Sequence, residues 1–117
     1  MGFIDDYIFD GRFVLLGEDA APFLDKKASK AYIINGKTWV NNHVHILSPM
    51  INSIYLTNCL NVLDYTDYVY GVTRLKLTQE NMNRLLIPIP PFSEQERIAN
   101  ATDYYFSIIH DMKKSLE

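Results

Sequence analysis

Short apolar runs, separated by glycine, proline and asparagine, fill the first half of the chain and predict β-strands. The run from Arg12 to Gly17 is typical of a buried strand that a glycine ends. Residues 31–34 and 37–40 flank the dipeptide Asn35-Gly36, which supplies the positive φ angles of a two-residue turn, so we predict a β-hairpin. Residues 43–47 predict a further strand, which Ser48-Pro49 ends.

In the middle of the chain the apolar residues recur with the period of an α-helix. Residues 50–63 repeat apolar side chains at near-helical spacing and predict an amphipathic helix. Residues 68–77 are expected to be extended, with an interruption at Gly71, and Thr78 is expected to cap a short helix. The apolar positions of the first helix are Ile51, Ile54, Tyr55, Cys59 and Val62.

The last third predicts a long helix that starts abruptly. The run from Leu85 to Pro91 cannot be helical at its end, because Pro88, Pro90 and Pro91 each push the preceding residue toward extended geometry. Ser93 and Glu96 have the spacing of a capping box, so the helix is expected to span residues 94–117. A heptad seam follows this helix and predicts either pairing with another helix or packing on its own domain. The seam consists of Ile98, Ala101, Tyr105, Ile108 and Met112.

Length and composition limit the class of protein. The 117 residues, of which 48% are hydrophobic and 21% charged, fit one globular domain. Cys59 is the sole cysteine, so no internal disulfide can form. The apolar runs are only a few residues long, too short for a membrane span, and no membrane partner is expected.

Charge is unevenly distributed along the chain. Residues 1–25 carry a net charge of −5, residues 26–84 carry +4 and residues 85–117 carry −2. A local basic surface is the minimum requirement for contact with phosphates, although solvated surface lysines give the same pattern.

The proline junction carries a resemblance to a known family. It reads Ile87-Pro88-Ile89-Pro90-Pro91-Phe92-Ser93-Glu94-Gln95-Glu96-Arg97-Ile98 and resembles the boundary between a target recognition domain and a spacer helix in specificity subunits of type I restriction–modification systems. The segments at residues 71–82, 13–21 and 42–47 look like the preceding parts of that domain. The resemblance therefore covers nearly the whole chain.

This resemblance implies a fold and a role. The fold is an α/β domain of α+β type, in which a twisted, partly antiparallel sheet and short helices precede a long spacer helix. Residues 1–92 would form a partial target recognition domain and residues 93–117 a spacer or dimerisation helix. The role is sequence-specific recognition of double-stranded DNA in the cytoplasm, without a cofactor, as the non-catalytic partner of methyltransferase and restriction subunits that methylate adenine or cleave DNA.

The chain departs from the family pattern in ways that favour a second hypothesis. The family's first strands, before Asp10, are missing or reduced, and Ala20-Ala21 replaces a segment that usually contains glycine. We therefore expect a truncated gene product or an excised fragment. Such a remnant could pair through residues 94–117 without reading DNA.

Candidate DNA contacts are the polar side chains of the predicted loops. Arginine suits guanine, asparagine suits adenine, and lysine suits phosphates. Arg74 is the leading candidate, ahead of Lys37, Asn42 and Lys27. The other candidates are Thr73, Lys26 and Asn35. The resemblance places Thr73 and Arg74 near DNA, and for each residue an ordinary loop position is an equally good interpretation.

Catalytic alternatives rest on weak patterns. Ile89-Pro90-Pro91-Phe92 lacks the amide or carboxylate that an adenine methyltransferase needs at its first position. Asp25-x-Lys27, with Asp10 or Asp19, matches half of a metal-dependent nuclease site, but such triplets arise often by chance. We expect no catalytic residue and no metal site.

Overall fold

The computed structural model describes residues 7–19, 21–25, 27–40, 43–72 and 74–116, and for residues 7–10 and 37–40 it describes the backbone alone. Within these described residues five strands are followed by three helices, which confirms the predicted α+β class. The strands are β1 (Tyr7–Asp10), β2 (Phe13–Gly17), β3 (Ala31–Ile34), β4 (Lys37–Val40) and β5 (Val44–Leu47). The helices are α1 (Ser53–Val62), α2 (Gln79–Met82) and α3 (Phe92–Ser115).

The predicted hairpin is wrong, although its two strands exist. β3 pairs with β2 and β4 pairs with β1, both antiparallel, so β3 and β4 are not partners. Both ladders keep the same register, and the amide of Gly11 donates to the carbonyl of Gly36 at 3.2 Å between them. Residues 7–17 and 31–40 therefore form one long ribbon that is interrupted in its middle.

Two glycines allow the ribbon to bend at this interruption. Gly36 has a φ of +75° and Gly11 a φ of +129°, conformations that other residues rarely adopt. A straight ribbon would place Val40, the partner of Tyr7, roughly 33 Å from Gly17 at the far end of β2, at ~3.3 Å per residue. Val40 is only four residues from Val44, which pairs with Gly17, and four residues span at most ~14 Å. The β1–β4 end must therefore fold back, and Asn35-Gly36 marks a bend rather than a turn.

β2 is the centre of the three-stranded sheet β3-β2-β5. Both of its edges are paired and its middle residues, Val14, Leu15 and Leu16, are buried, which explains the unbroken apolar run. α1 packs on β2 and β3 and closes the core. The buried core cluster consists of Val14, Leu16, Phe23, Ala31, Leu60, Tyr65 and Leu77.

The predicted faces of α1 are partly wrong. Leu60 is buried in the core, whereas Val62, which we expected on the apolar face, is 73% exposed. The helix carries apolar residues on two sides, because Tyr55 and Cys59 face α3 while Leu56 and Leu60 face the sheet. A single-stripe template cannot describe such a helix.

Of the two helix caps that the sequence predicted, one is confirmed, because Thr78 caps α2. The first helix, predicted over residues 50–63, begins at Ser53, and Asn52 caps it by accepting from the amide of Tyr55 at 2.9 Å. The capping box at Ser93 is wrong, because α3 begins at Phe92 with Pro91 in the cap position. Ser93 thus lies inside the first turn. Glu94 in that turn and Lys113 and Lys114 in the last turn still complement the helix dipole.

Candidate nucleic-acid interface

The segment at residues 70–77 is a folded loop rather than the extended stretch that we predicted. Tyr70 and Lys76 exchange backbone hydrogen bonds of 3.2 and 2.9 Å, which turns the chain back on itself. Gly71, at a φ of +124°, makes this possible, since a Cβ there would lie 2.2 Å from the carbonyl oxygen of Arg74. The loop therefore presents Arg74 in a constrained turn.

Two hydrogen bonds attach this loop to the sheet. The amide of Leu77 donates to the carbonyl of Glu18 at 2.6 Å, as part of the isolated antiparallel bridge between Asp19 and Lys76. His45 Nε2 donates to the carbonyl of Leu77 at 2.6 Å. The loop thus extends the end of β2, and Leu77 is fully buried beneath it.

Ionisable side chains gather where this loop meets β2, and we call Glu18, Asp19, His43, Arg74 and Lys76 the charged corner. The carboxylate of Asp19 accepts from His43 Nδ1 at 3.1 Å and lies 3.8 Å from Arg74 Nη2. Lys76 Nζ lies 3.9 Å from Glu18 Oε2. The side chains of Arg74 and His43 are 65% and 57% exposed.

Of the other predicted contacts, the structure describes Asn35, Lys37 and Lys27, and it places none of these three at the charged corner. Asn35 is exposed at the opposite end of the β2–β3 pair, next to the ribbon bend. Lys37 lies in β4 and pairs in register with Asp10 of β1, and the structure describes only its backbone. Lys27 is exposed, but it lines a groove beside α1 and α3. Lys26, Asn42 and Thr73 lie outside the described residues.

Lys30, which belongs to the same lysine-rich segment as Lys26 and Lys27, has a structural role. It is 3% exposed, and its ammonium donates to the carbonyl of Asn61 at 3.1 Å. The side-chain oxygen of Asn61 accepts from the amides of Lys30 and Ala31 at 2.7 and 2.8 Å, and its amide donates to the carbonyl of Ala31 at 3.1 Å. Sequence reasoning missed Asn61, because nothing in an apolar helix pattern marks one polar residue as the link between helix and strand.

The proline junction is held by hydrogen bonds to proline carbonyls, which remain acceptors although proline has no N–H. Tyr55 donates its hydroxyl to the carbonyl of Pro88 at 2.7 Å. Gln95 is 3% exposed and donates to the carbonyl of Pro90 at 2.8 Å, while its oxygen accepts from the amide of Asn52 at 2.9 Å. Gln95 therefore ties the start of α3 to the start of α1, a role that the sequence pattern did not reveal.

The predicted seam of α3 divides into two parts. Ile98 and Ala101 are half-buried where the helix packs on α1. Tyr105, Ile108 and Met112 are 63%, 37% and 61% exposed, and every residue from 103 to 116 is exposed. The second half of α3 thus projects from the domain over ~21 Å with its apolar side chains uncovered.

A groove of about 580 Å³ lies between α1, α3 and residues 27–29. Tyr55, Cys59, Ile98 and Phe106 make it largely apolar. Within the described part of the chain, the buried amide nitrogen of Asn58 has no hydrogen-bond partner there. Lys27 stands at this groove and not at the charged corner.

Nothing in the described ranges assembles a metal centre. Over those residues no three His, Cys, Asp or Glu side chains lie close enough together to hold an ion. Asp25, the first acid of the nuclease-like triplet, accepts from the amide of Lys27 at 2.9 Å and so closes a local turn. Of the helices that the structure describes, none has both the length and the apolar character needed to cross a membrane.

Comparison with known proteins connects this arrangement to one family. Residues 1–117 match the family model described as the type I restriction modification DNA specificity domain. The chain is also 32% identical, over 103 residues, to a Haemophilus influenzae protein named as the type I restriction enzyme specificity subunit S.HindORF215P. That alignment covers 86% of this chain and 26% of the relative, so the chain spans about a quarter of the relative's length. No solved structure gives a significant match.

Proposed function

Because this chain belongs to the family of type I restriction–modification DNA specificity domains, we propose that it reads a sequence in double-stranded DNA on behalf of partner subunits. The partners are a methyltransferase subunit that modifies adenine and a restriction subunit that cleaves. The chain supplies recognition and none of the catalytic groups. Such a role places it in the cytoplasm with the DNA that it reads.

The charged corner is the observation that carries this proposal. A base-reading site needs exposed donors on a rigid support, since a loosely held side chain loses entropy when it binds. Arg74 meets both conditions, because its side chain is 65% exposed and its loop is attached to β2 and β5. Lys76, whose side chain is 44% exposed, adds a second cation at this corner.

The remaining candidates serve as phosphate or secondary contacts in this proposal. Lysines and asparagines on loops position DNA through its backbone and carry no sequence information by themselves. Thr73, next to Arg74, belongs with the charged corner by sequence, and Asn42 precedes His43. The other four contacts extend the surface along the chain: Lys26, Lys27, Asn35 and Lys37.

The division of labour within the chain follows the proline junction. Residues 1–92 form the recognition part and residues 93–117 the spacer helix. Gln95 and Tyr55 support this division, because they fix the direction in which α3 leaves the domain.

DNA binding by the assembled complex tests this function. The chain is co-expressed with its methyltransferase subunit, and binding to random-sequence duplexes is measured at several salt concentrations. We expect enrichment of a defined sequence, with affinity that falls as salt rises because bound phosphates release counterions. A complex that assembles but enriches no sequence contradicts the proposal.

A second candidate function is pairing through α3 without DNA reading. The exposed apolar half of α3 favours it, because a contiguous uncovered apolar surface usually marks an interaction site. Pairing and recognition are compatible, so the two are separated by the DNA selection above: a chain that pairs but selects no sequence is an interaction module.

A further inference from the structure

Arg74 and His43 share one carboxylate, that of Asp19. Asp19 Oδ1 lies 3.1 Å from His43 Nδ1 and 3.8 Å from Arg74 Nη2, and the Asp19 side chain is only 25% exposed. An acid in the middle of a phosphate-binding surface would weaken it, because it repels phosphate and neutralises the neighbouring base. The position of Asp19 therefore fits another task better than phosphate binding.

The backbone beneath this ion pair is fixed on both sides. Asp19 lies two residues after the end of β2 and bridges to Lys76, and the amide of Leu77 donates to the carbonyl of Glu18 at 2.6 Å. Arg74 sits in the turn that Gly71 permits, since a side chain at that position would collide with the Arg74 carbonyl. Carboxylate and guanidinium consequently start from defined backbone positions, and their attraction at 3.8 Å favours guanidinium orientations close to Asp19.

We infer that Asp19 is a positioning residue that orients Arg74 to read a guanine in the DNA major groove. This inference rests on the proposed function and adds two assignments to it: Arg74 contacts a base, and Asp19 orients Arg74. A guanidinium presents a planar fork that matches the O6 and N7 acceptors of guanine, and one good bidentate contact discriminates against the wrong base by roughly tenfold. Asp19 attracts the guanidinium as an ion pair at 3.8 Å, which is too long for a hydrogen bond, so the exposed fork keeps its N–H donors for the base.

The experiment is selection from a random-sequence duplex pool by the chain assembled with its methyltransferase subunit. Wild type is compared with Arg74→Ala, Asp19→Asn and the double variant. Asp67→Asn serves as the control, since it removes one exposed carboxylate outside the charged corner. We expect Arg74→Ala to erase the preference for guanine at one position of the selected sequence, by roughly tenfold.

Asp19→Asn distinguishes positioning from simple charge. We expect it to weaken the preference at the same position as Arg74→Ala and to leave the other positions unchanged. The double variant should be no worse than Arg74→Ala, because Asp19 acts through Arg74. Affinity for duplexes without the site should hold or rise in Asp19→Asn, since a negative charge is lost, and fall in Arg74→Ala.

Arg74→Lys gives a second test that leaves Asp19 in place. Lysine keeps the charge but has no planar fork, so the guanine preference should disappear while affinity for duplexes without the site is retained. Thermal melting of each variant identifies any that does not fold. Arg74→Lys, an exposed change, tests the assignment of Arg74, and Asp19→Asn, nearly the same size as the original side chain, tests the positioning role.

The outcomes separate the two levels of the proposal. A wild-type complex that selects no sequence defeats the proposed function itself. Should wild type select a sequence while Asp19→Asn preserves every position, or weakens all of them evenly, Asp19 is not a positioning residue. A selected sequence that keeps its guanine in Arg74→Lys likewise overturns the assignment of Arg74 as a base reader.

Discussion

Asn61 illustrates what residue-level patterns reveal and what they omit. The apolar repeat of residues 50–63 correctly predicted α1, yet the contact that joins α1 to β3 is a polar one through Asn61. Arg74 was recognisable as an exposed candidate because arginine is seldom buried without a partner. Lys30 was not recognisable as buried, since its partner is the carbonyl of Asn61, 31 residues away.

Removing the Asn61 side chain should destabilise the domain strongly. Asn61→Ala leaves the amides of Lys30 and Ala31 without their acceptor in a partly buried place, which costs about 3 kcal/mol. Urea unfolding followed by circular dichroism measures the loss. Asn100→Ala, an exposed change on α3, is the matched control and should stay within about 0.5 kcal/mol of wild type. Equal free energies of unfolding for the two variants would contradict the structural role of Asn61.

Tyr65 makes the stability of the fold sensitive to alkaline pH. Its ring is fully buried, its hydroxyl donates to the carbonyl of Leu60 at 2.5 Å, and burial raises the pKa of the phenol well above its usual range. Because the folded-state pKa is the higher one, the contribution of neutral Tyr65 is complete below the unfolded pKa of about 10 and is lost as pH rises above it.

Tyr65→Phe tests this dependence. The variant should be less stable at neutral pH by about 1 kcal/mol, the value of one hydrogen bond. It should also lose less stability than wild type between about pH 9 and about pH 11. Urea midpoints across that range measure both effects, with the exposed change Tyr104→Phe as control. Parallel pH curves for wild type and Tyr65→Phe would contradict the assignment.

At the scale of elements, local signals were correct about conformation and wrong about partners. Asn35-Gly36 does contain a positive φ, as the sequence indicated, but the residue serves a bend. β3 pairs with β2, and not with β4, as part of a ribbon in which residues 7–17 pair with residues 31–40 in a single register. A two-residue motif carries no information about such distant pairing.

The three helix starts give a prediction at the same scale. Asn52→Ala and Thr78→Ala should each cost about 1 kcal/mol, because each side chain accepts a hydrogen bond from a first-turn amide. Ser93→Ala should change stability by less than about 0.5 kcal/mol, since Ser93 lies within α3 and caps nothing. Urea unfolding of the three variants compares them directly. A loss of stability in Ser93→Ala as large as that in Asn52→Ala would indicate that Ser93 does cap α3.

At the scale of the whole molecule, the chain joins a sheet-based domain to a helix that leaves it. The proline-rich run indicated from the sequence that a helix begins only after Pro91, because a proline disfavours helical geometry in the residue before it, and α3 begins at Phe92. The direction of the exit was not predictable, since it depends on Gln95 reaching both Pro90 and Asn52. The candidate interface was likewise predictable only as single residues, because the approach of Arg74 to Asp19 arises from the docking of a loop on β2.

The uncovered half of α3 leads to the last prediction, that the chain associates with itself through residues 103–116. Ile108→Asp and Met112→Asp should each weaken association by at least about tenfold, because an unpaired carboxylate in an apolar interface costs more than ~1.4 kcal/mol. Ser107→Asp adds the same charge on the same exposed turn, outside the seam, and should leave the mass unchanged. Light scattering after size-exclusion chromatography measures the mass. Ile98→Asp would not serve here, because Ile98 packs against α1 and its loss would disturb the fold. Should both seam variants keep the wild-type mass, α3 pairs through another face or not at all.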